Sequence, residues 1–230
     1  TCKRALSLAG AGDEEGAEGA YRKAIELFPA FAQPRLNLGM LYERQGKPEQ
    51  ALAEWRWVAD NLDAGTPDNA ALVVMALNHL GRVLETRKQF ADASAYLSRS
   101  LNIDPAQPDA IHHWVHLRQK QCKWPIYAPL DGVTMEQMVH ATSALAMLSA
   151  SSDPQAQLDS AHRYVAEKVL APIRRFLDKH DVTYHCEWSV GTAHDQILRA
   201  AKKAKAHMIV MGTHGHGLIG RTLMGSVAQK

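Results

Sequence analysis

At 230 residues the chain is long enough for one large domain or two ordinary ones, and two is the expectation. Hydrophobic residues make up 46% and charged residues 22%, the balance of a soluble globular protein, and a formal charge of +2 is too small to call for nucleic acid or an anionic membrane as partner. No apolar stretch reaches the roughly 18 residues of a membrane span, and the opening TCKRALSLAGAGDEEGAEGA lacks the apolar core of a signal peptide. The first residue is Thr1 rather than Met, so a piece of a longer chain is expected. Cys2, Cys122 and Cys186 are odd in number, widely spaced and free of any CxxC pair, which predicts reduced thiols in a cytoplasmic protein, with neither a disulfide nor a zinc site.

Three stretches in the first half follow one template: GAEGAYRKAIELFP, LNLGMLYERQGKPEQALAEWRWV and LNHLGRVLETRKQFADASAYLSRSLNIDP. Leu38, Gly39, Tyr42, Ala51 and Trp55 fill its positions in one copy, and Leu80, Gly81, Leu84, Ala93, Leu97 and Pro105 fill them in the next. Ala17, Tyr21, Ala24 and Pro29 match the second half of an earlier copy. Gly39 and Gly81 permit close helix approach, Ala51 and Ala93 keep the crossing thin, and the large residues four positions on fill the neighbouring groove. Over residues 1–107 this pattern resembles the tetratricopeptide repeat, a helix-turn-helix of about 34 residues. The resemblance implies a curved solenoid whose concave face binds a protein or peptide. Gly39 and Gly81 stand more than one period apart, and the excess around NLDAGTPDNAA is expected as a surface loop or a helix extension.

Residues 108–168 open as another repeat helix, break at Trp124-Pro125 and resume as two helices, the second starting with Asp153 as N-cap and Pro154 at the first helical position. The wording HHWVHLRQKQCKWP, followed by TSALAMLS and SDP, resembles the stretch that joins repeats to catalyst in SPINDLY-type O-linked glycosyltransferases, and the resemblance covers residues 1–168. It implies an acceptor-recognition arm whose sugar-nucleotide chemistry resides in a further domain.

From residue 169 the character changes. VLAPIRRFLDKH and AHDQILRAAKKAKA read as amphipathic helices, VTYHCEWSV and HMIVMGT as strands, together a parallel βαβ unit. Two strands alone do not make a stable sheet. Gly212, Gly215, Gly225 and Ser226 follow the second strand, where an α/β sheet binds ligands and where glycine backbone can wrap an anion. Across residues 169–230, and most specifically at IVMGTHGHGLIGRTLMGS, the chain resembles universal stress proteins. That resemblance implies that Gly215, His216, Gly225 and Ser226 lie at the phosphates of ATP or another nucleotide, with Gly212 and Thr213 near the ribose. The family's first strand, with its acidic residue, and its last strand have no counterpart here, so a completing strand from a second copy is expected and a homodimer with it.

Other signals receive plain readings. His112, His113 and His116 include a spacing suited to a metal but lack a third ligand, so they are expected as ordinary helix-surface histidines and no metal is predicted. Lys202, Lys203 and Lys205 read as a solvated helix face rather than a nucleic-acid contact. Of Trp55, Trp57, Trp114 and Trp124, most are expected in the core, with Trp57, off the template, as the exception. Cys122 and Cys186 have no evident His-Asp partners, and no paired carboxylates or nucleophile elbow occur, so catalysis by this chain alone is not expected. The expected fold is mainly α: a tetratricopeptide α-solenoid (1–107), a helical extension (108–168) and a small incomplete α/β segment (169–230).

Overall fold

The computed structural model describes residues 2–185, 189 and 191–209. The chain divides into two compact units, Thr1–Pro172 and Ile173–Lys230. In the first, α1 (Cys2–Gly10), α2 (Glu14–Leu27), α3 (Ala32–Arg44), α4 (Pro48–Asn61), α5 (Pro67–Thr86), α6 (Phe90–Ile103) and α7 (Pro108–Lys120) each pack against the next.

The helix pairs are closed by one recurring turn. Gly12, Gly46, Lys88 and Cys122 follow α1, α3, α5 and α7 with φ of 84°, 71°, 62° and 51°. After each, a backbone N–H returns to the last helical turn: Asp13 to Leu8 at 3.0 Å, Lys47 to Tyr42 at 2.8 Å, Gln89 to Leu84 at 2.9 Å and Lys123 to Arg118 at 2.9 Å. The first and third intervals between these turns match the repeat period of about 34 residues, while the middle one is longer by about eight. Both expected sinks for the excess are used. Asp63 and Gly65 form a short loop, and α5 has 20 residues against 13 in α3, starting from a Thr66 cap with Pro67 in its first turn.

Packing explains the template. A Cβ on Gly39 would fall inside the Trp55 indole, and one on Gly81 would lie 2.7 Å from the Leu97 side chain. Each glycine therefore admits the large residue of its own second helix. Trp55 is fully buried and donates its indole N–H to Leu36 O at 3.2 Å. Ala17, Tyr21, Leu38, Leu80, Ala51 and Ala93 join one continuous core that runs on through Trp114 and Leu117 of α7.

Beyond α7 the repeat breaks, as expected, at Trp124-Pro125. Three helices follow where the sequence predicts two: α8 (Met135–Ala141), α9 (Ala144–Ala150) and α10 (Pro154–Tyr164). The additional break falls at two hydroxyl residues. Thr142 bonds back to Met138 O at 2.8 Å, and Ser143 caps α9 by accepting from Ala146 N at 3.2 Å, each offering the backbone an alternative to continued helix. Asp153 caps α10 by accepting from Gln155 N at 2.9 Å, with Pro154 behind it as predicted. A π-helical turn spans Val165–Leu170 and leads into α11 (Ala171–Lys179). Pro172 cannot donate to the Lys168 carbonyl, and a wider hydrogen-bond spacing just before it accommodates that loss.

In the second unit, α12 (Ala193–Lys203) corresponds to the predicted crossover helix. The α/β expectation departs from what is observed: among the described residues there is no strand, and the one isolated bridge joins Leu130 to Val133. Residues 182–185 and 207–209, the described parts of the two predicted strands, join no ladder. A strand exists through its pairing, and β-propensity alone does not supply a partner. The rest of those two predicted strands lies outside the described residues.

Candidate functional site

The first helices of successive pairs touch one another directly, α3 against α5 and α5 against α7, and so line the inner face of the repeat unit. Charge pairs tie this face together from helix to helix. Arg82 of α5 reaches Glu43 of α3 at 2.6 Å, and Glu85 of α5 takes both His113 Nδ1 at 2.9 Å and Lys120 Nζ at 3.0 Å from α7. Burial pushes the Glu85 carboxyl up, and Lys120 and His113 more than offset it, holding it below the usual range.

His79 lies beneath this ladder. Its ring stacks on Trp55 with centroids 4.7 Å apart and planes 13° from parallel. Burial, with Arg82 assisting, pushes its pKa below the usual histidine value, while Glu43 opposes. His116 is lowered as well, first by burial and then by Lys120. Apolar side chains are left for a partner: Leu6, Met40 and Met75 on α1, α3 and α5 are each about half exposed. Leu6 and Met40, with Tyr21, Asn37 and Arg44, line a shallow depression of about 210 Å³.

The histidines of α7 are less ordinary than expected. All three are half-buried; His112 Nδ1 donates to Ala141 O at 2.8 Å, its ring stacks with that of His116 at 6.2 Å, and His113 meets Glu85. Since a carbonyl only accepts, Nδ1 of His112 carries the proton. No group of three metal-ligating side chains occurs among the described residues.

The tryptophans divide differently from the expectation. Trp55 and Trp114 are core, Trp57 is half-buried beneath the Arg35 guanidinium at 4.1 Å, and Trp124 is the exposed one at 68%. Trp124 belongs to the loop after α7, where no second helix covers it. Lys202 and Lys205 are exposed, as a solvated face requires, and α12 buries no residue at all. Cys122 is an exposed free thiol at a left-handed turn, and the half-buried Cys2 thiol is pushed up by burial. Cys186 and all the nucleotide-site residues predicted from sequence, Gly212, Thr213, Gly215, His216, Gly225 and Ser226, lie outside the described residues.

Comparison with known proteins matches residues 20–53 to the tetratricopeptide repeat and residues 137–230 to the universal stress protein family. The chain carries a tetratricopeptide repeat near its N-terminus and a universal stress protein segment at its C-terminus. The second match begins within α8, so it overlaps the stretch that resembles the SPINDLY-type joining region. Universal stress protein MJ0531 of Methanocaldococcus jannaschii is 34% identical over 64 residues, which is 28% of this chain and 38% of that protein. The chain therefore spans well under half the length of that relative. Among solved structures, a crystal structure of MamA has 17% identity and a TM-score of 0.45, covering 87% of this chain and 96% of that one. A Pseudomonas aeruginosa pilF structure has 17% identity and a TM-score of 0.37, covering 77% and 95%.

The sequence reading missed Glu85 and His79 as parts of the inner face. Their signal was available: both lie on the same helix as Leu80 and Gly81, at positions the template leaves polar.

Proposed function

We propose that the repeat unit is a protein-binding scaffold that holds an extended peptide on the inner face of α1, α3, α5 and α7. The observation that carries this reading is the direct contact of α3 with α5 and of α5 with α7, which joins half-exposed Met40 and Met75 with the Glu43–Arg82 and Glu85–His113–Lys120 groups, while Leu6 shares a depression with Met40. Apolar anchors among fixed polar groups suit recognition of side chains along a peptide. Panning a displayed random decapeptide library on the full chain tests it. Peptides enriched on the native protein should lose binding to an Arg82→Glu, Lys120→Glu double variant; equal retention by the variant would refute the inner face as the contact surface.

The universal stress protein segment supplies the second part of the proposal: it acts as a regulatory nucleotide module, with ATP held through Gly212, Thr213, Gly215, His216, Gly225 and Ser226, in a homodimer that completes its sheet. Glycine backbone and a serine hydroxyl are suited to phosphate oxygens. Calorimetric titration with ATP, alongside sedimentation in the same buffer, tests this. Binding by a dimer, abolished in Gly215→Val and Gly225→Val, is the expected result. Affinity unchanged in both variants would remove the loop as the site.

A further inference from the structure

We propose that the cavity walled by α7, the α8–α9 junction and α10 binds a small organic anion, a carboxylate or a phosphate monoester. The cavity measures about 350 Å³ and lies wholly within the first unit. That is the lower end of the range for small-molecule sites, about 300 to 1,000 Å³.

Arg163 is the side chain that points to an anion. It is half-buried on the cavity wall, yet its Nη2 reaches only Val139 O and Ser160 Oγ, each at 3.5 Å, beyond ordinary hydrogen-bond length. Among the described residues no carboxylate pairs with it. A guanidinium offers five donors in a planar fork that matches an oxyanion, and here nearly all of them are unspent. Lys168 adds a second cation at the rim. Pro108, where α7 begins, also lines the cavity, and the N-cap of that helix, Gln107, makes no side-chain capping bond. Gln107 turns instead to Ser100 and Asp104, bonding Asp104 O at 2.6 Å, and the first turn of this 13-residue helix meets the cavity through Pro108 and Asp109.

The remaining walls indicate an organic ligand rather than a bare ion. Pro108, Ala141, Ala144 and the half-exposed ring of Tyr164 give apolar surface, and the volume exceeds what one oxyanion fills. Asp109 and Glu167 also border the cavity and oppose a negative charge. They limit affinity and favour a single anionic group over several.

The test is calorimetry on the full chain with phenyl phosphate, benzoate and uncharged benzyl alcohol, carried into the millimolar range. Saturable binding of at least one anion is expected, with none of the alcohol. Tighter phenyl phosphate assigns the site to phosphate monoesters and tighter benzoate to carboxylates. Arg163→Gln should weaken the anion at least tenfold, and Asp109→Asn should strengthen it several-fold, both with unaltered thermal unfolding. Alcohol binding as tight as the anions, an Arg163→Gln variant that binds like the native chain, or no saturable anion binding would each overturn the proposal. Because the inner-face residues Arg82 and Lys120 are untouched, failure here leaves the peptide-binding reading to be judged separately.

Discussion

In α3 and α5 the template leucines are closed off from water, Leu38 at 1% and Leu80 at 0% exposure, whereas in α11 and α12 Ile173, Phe176 and Leu198 stay half exposed or more. All four helices carry regularly spaced apolar residues. The difference lies in what each meets. Each repeat helix finds its partner in the next helix along the chain, brought close by a glycine opposite a large side chain. For α11 and α12 the expected partner is a sheet, and no strand is present among the described residues. Periodicity defines a face; burial requires a complementary surface at the right distance.

Substitutions can break this contrast, beginning with the largest effect. Gly39→Leu places a side chain where the Trp55 indole lies and should abolish cooperative unfolding of the repeat unit, read from tryptophan fluorescence during urea denaturation. Leu80→Ala empties a fully buried site and should cost about 2 to 5 kcal/mol in the same assay, while Leu198→Ala should change stability by less than about 0.5 kcal/mol. A comparable loss from Leu198→Ala would mean that α12 packs against a surface after all.

Lys88 occupies a left-handed conformation at φ 62° where the preceding pair has Gly46. Lys88→Gly should therefore stabilise the repeats by about 1 kcal/mol, seen as a raised urea midpoint. The pH effect is smaller and has a definite sign. His79 and His116 have lowered pKa values in the fold, so the unfolded chain binds more protons as pH falls below the ordinary histidine value of about 6.5. Stability should be highest above that value and decline toward pH 5. In His79→Phe, which can keep a ring against Trp55, the decline should be shallower; an unchanged slope would show that His79 is not coupled to folding.

Much of the repeat unit was legible in sequence because its contacts are local and periodic. Leu38, Gly39, Ala51 and Trp55 meet within one helix pair, and their spacing is the contact map. Lys88 and Cys122 were not legible as turn residues, since nothing in a lysine or a cysteine announces a left-handed backbone; only the recurrence of the turn reveals it. The Arg163 cavity was equally hidden. It gathers residues from α7 through the π-helical turn, and neither the distances among those segments nor the lack of a carboxylate partner for Arg163 among the described residues is written in spacing. Trp124 was misjudged for a related reason, because template positions predict burial only where a second helix follows.

The central claim is that the inner face of the first helices receives peptide. Hydrogen exchange of the full chain, with and without a saturating decapeptide selected by display, tests it most directly. Slowed exchange in α3, α5 and α7 that exceeds any change in α4 and α6 is the predicted result. Protection confined to α4 and α6, or to α11 and α12, would contradict the account.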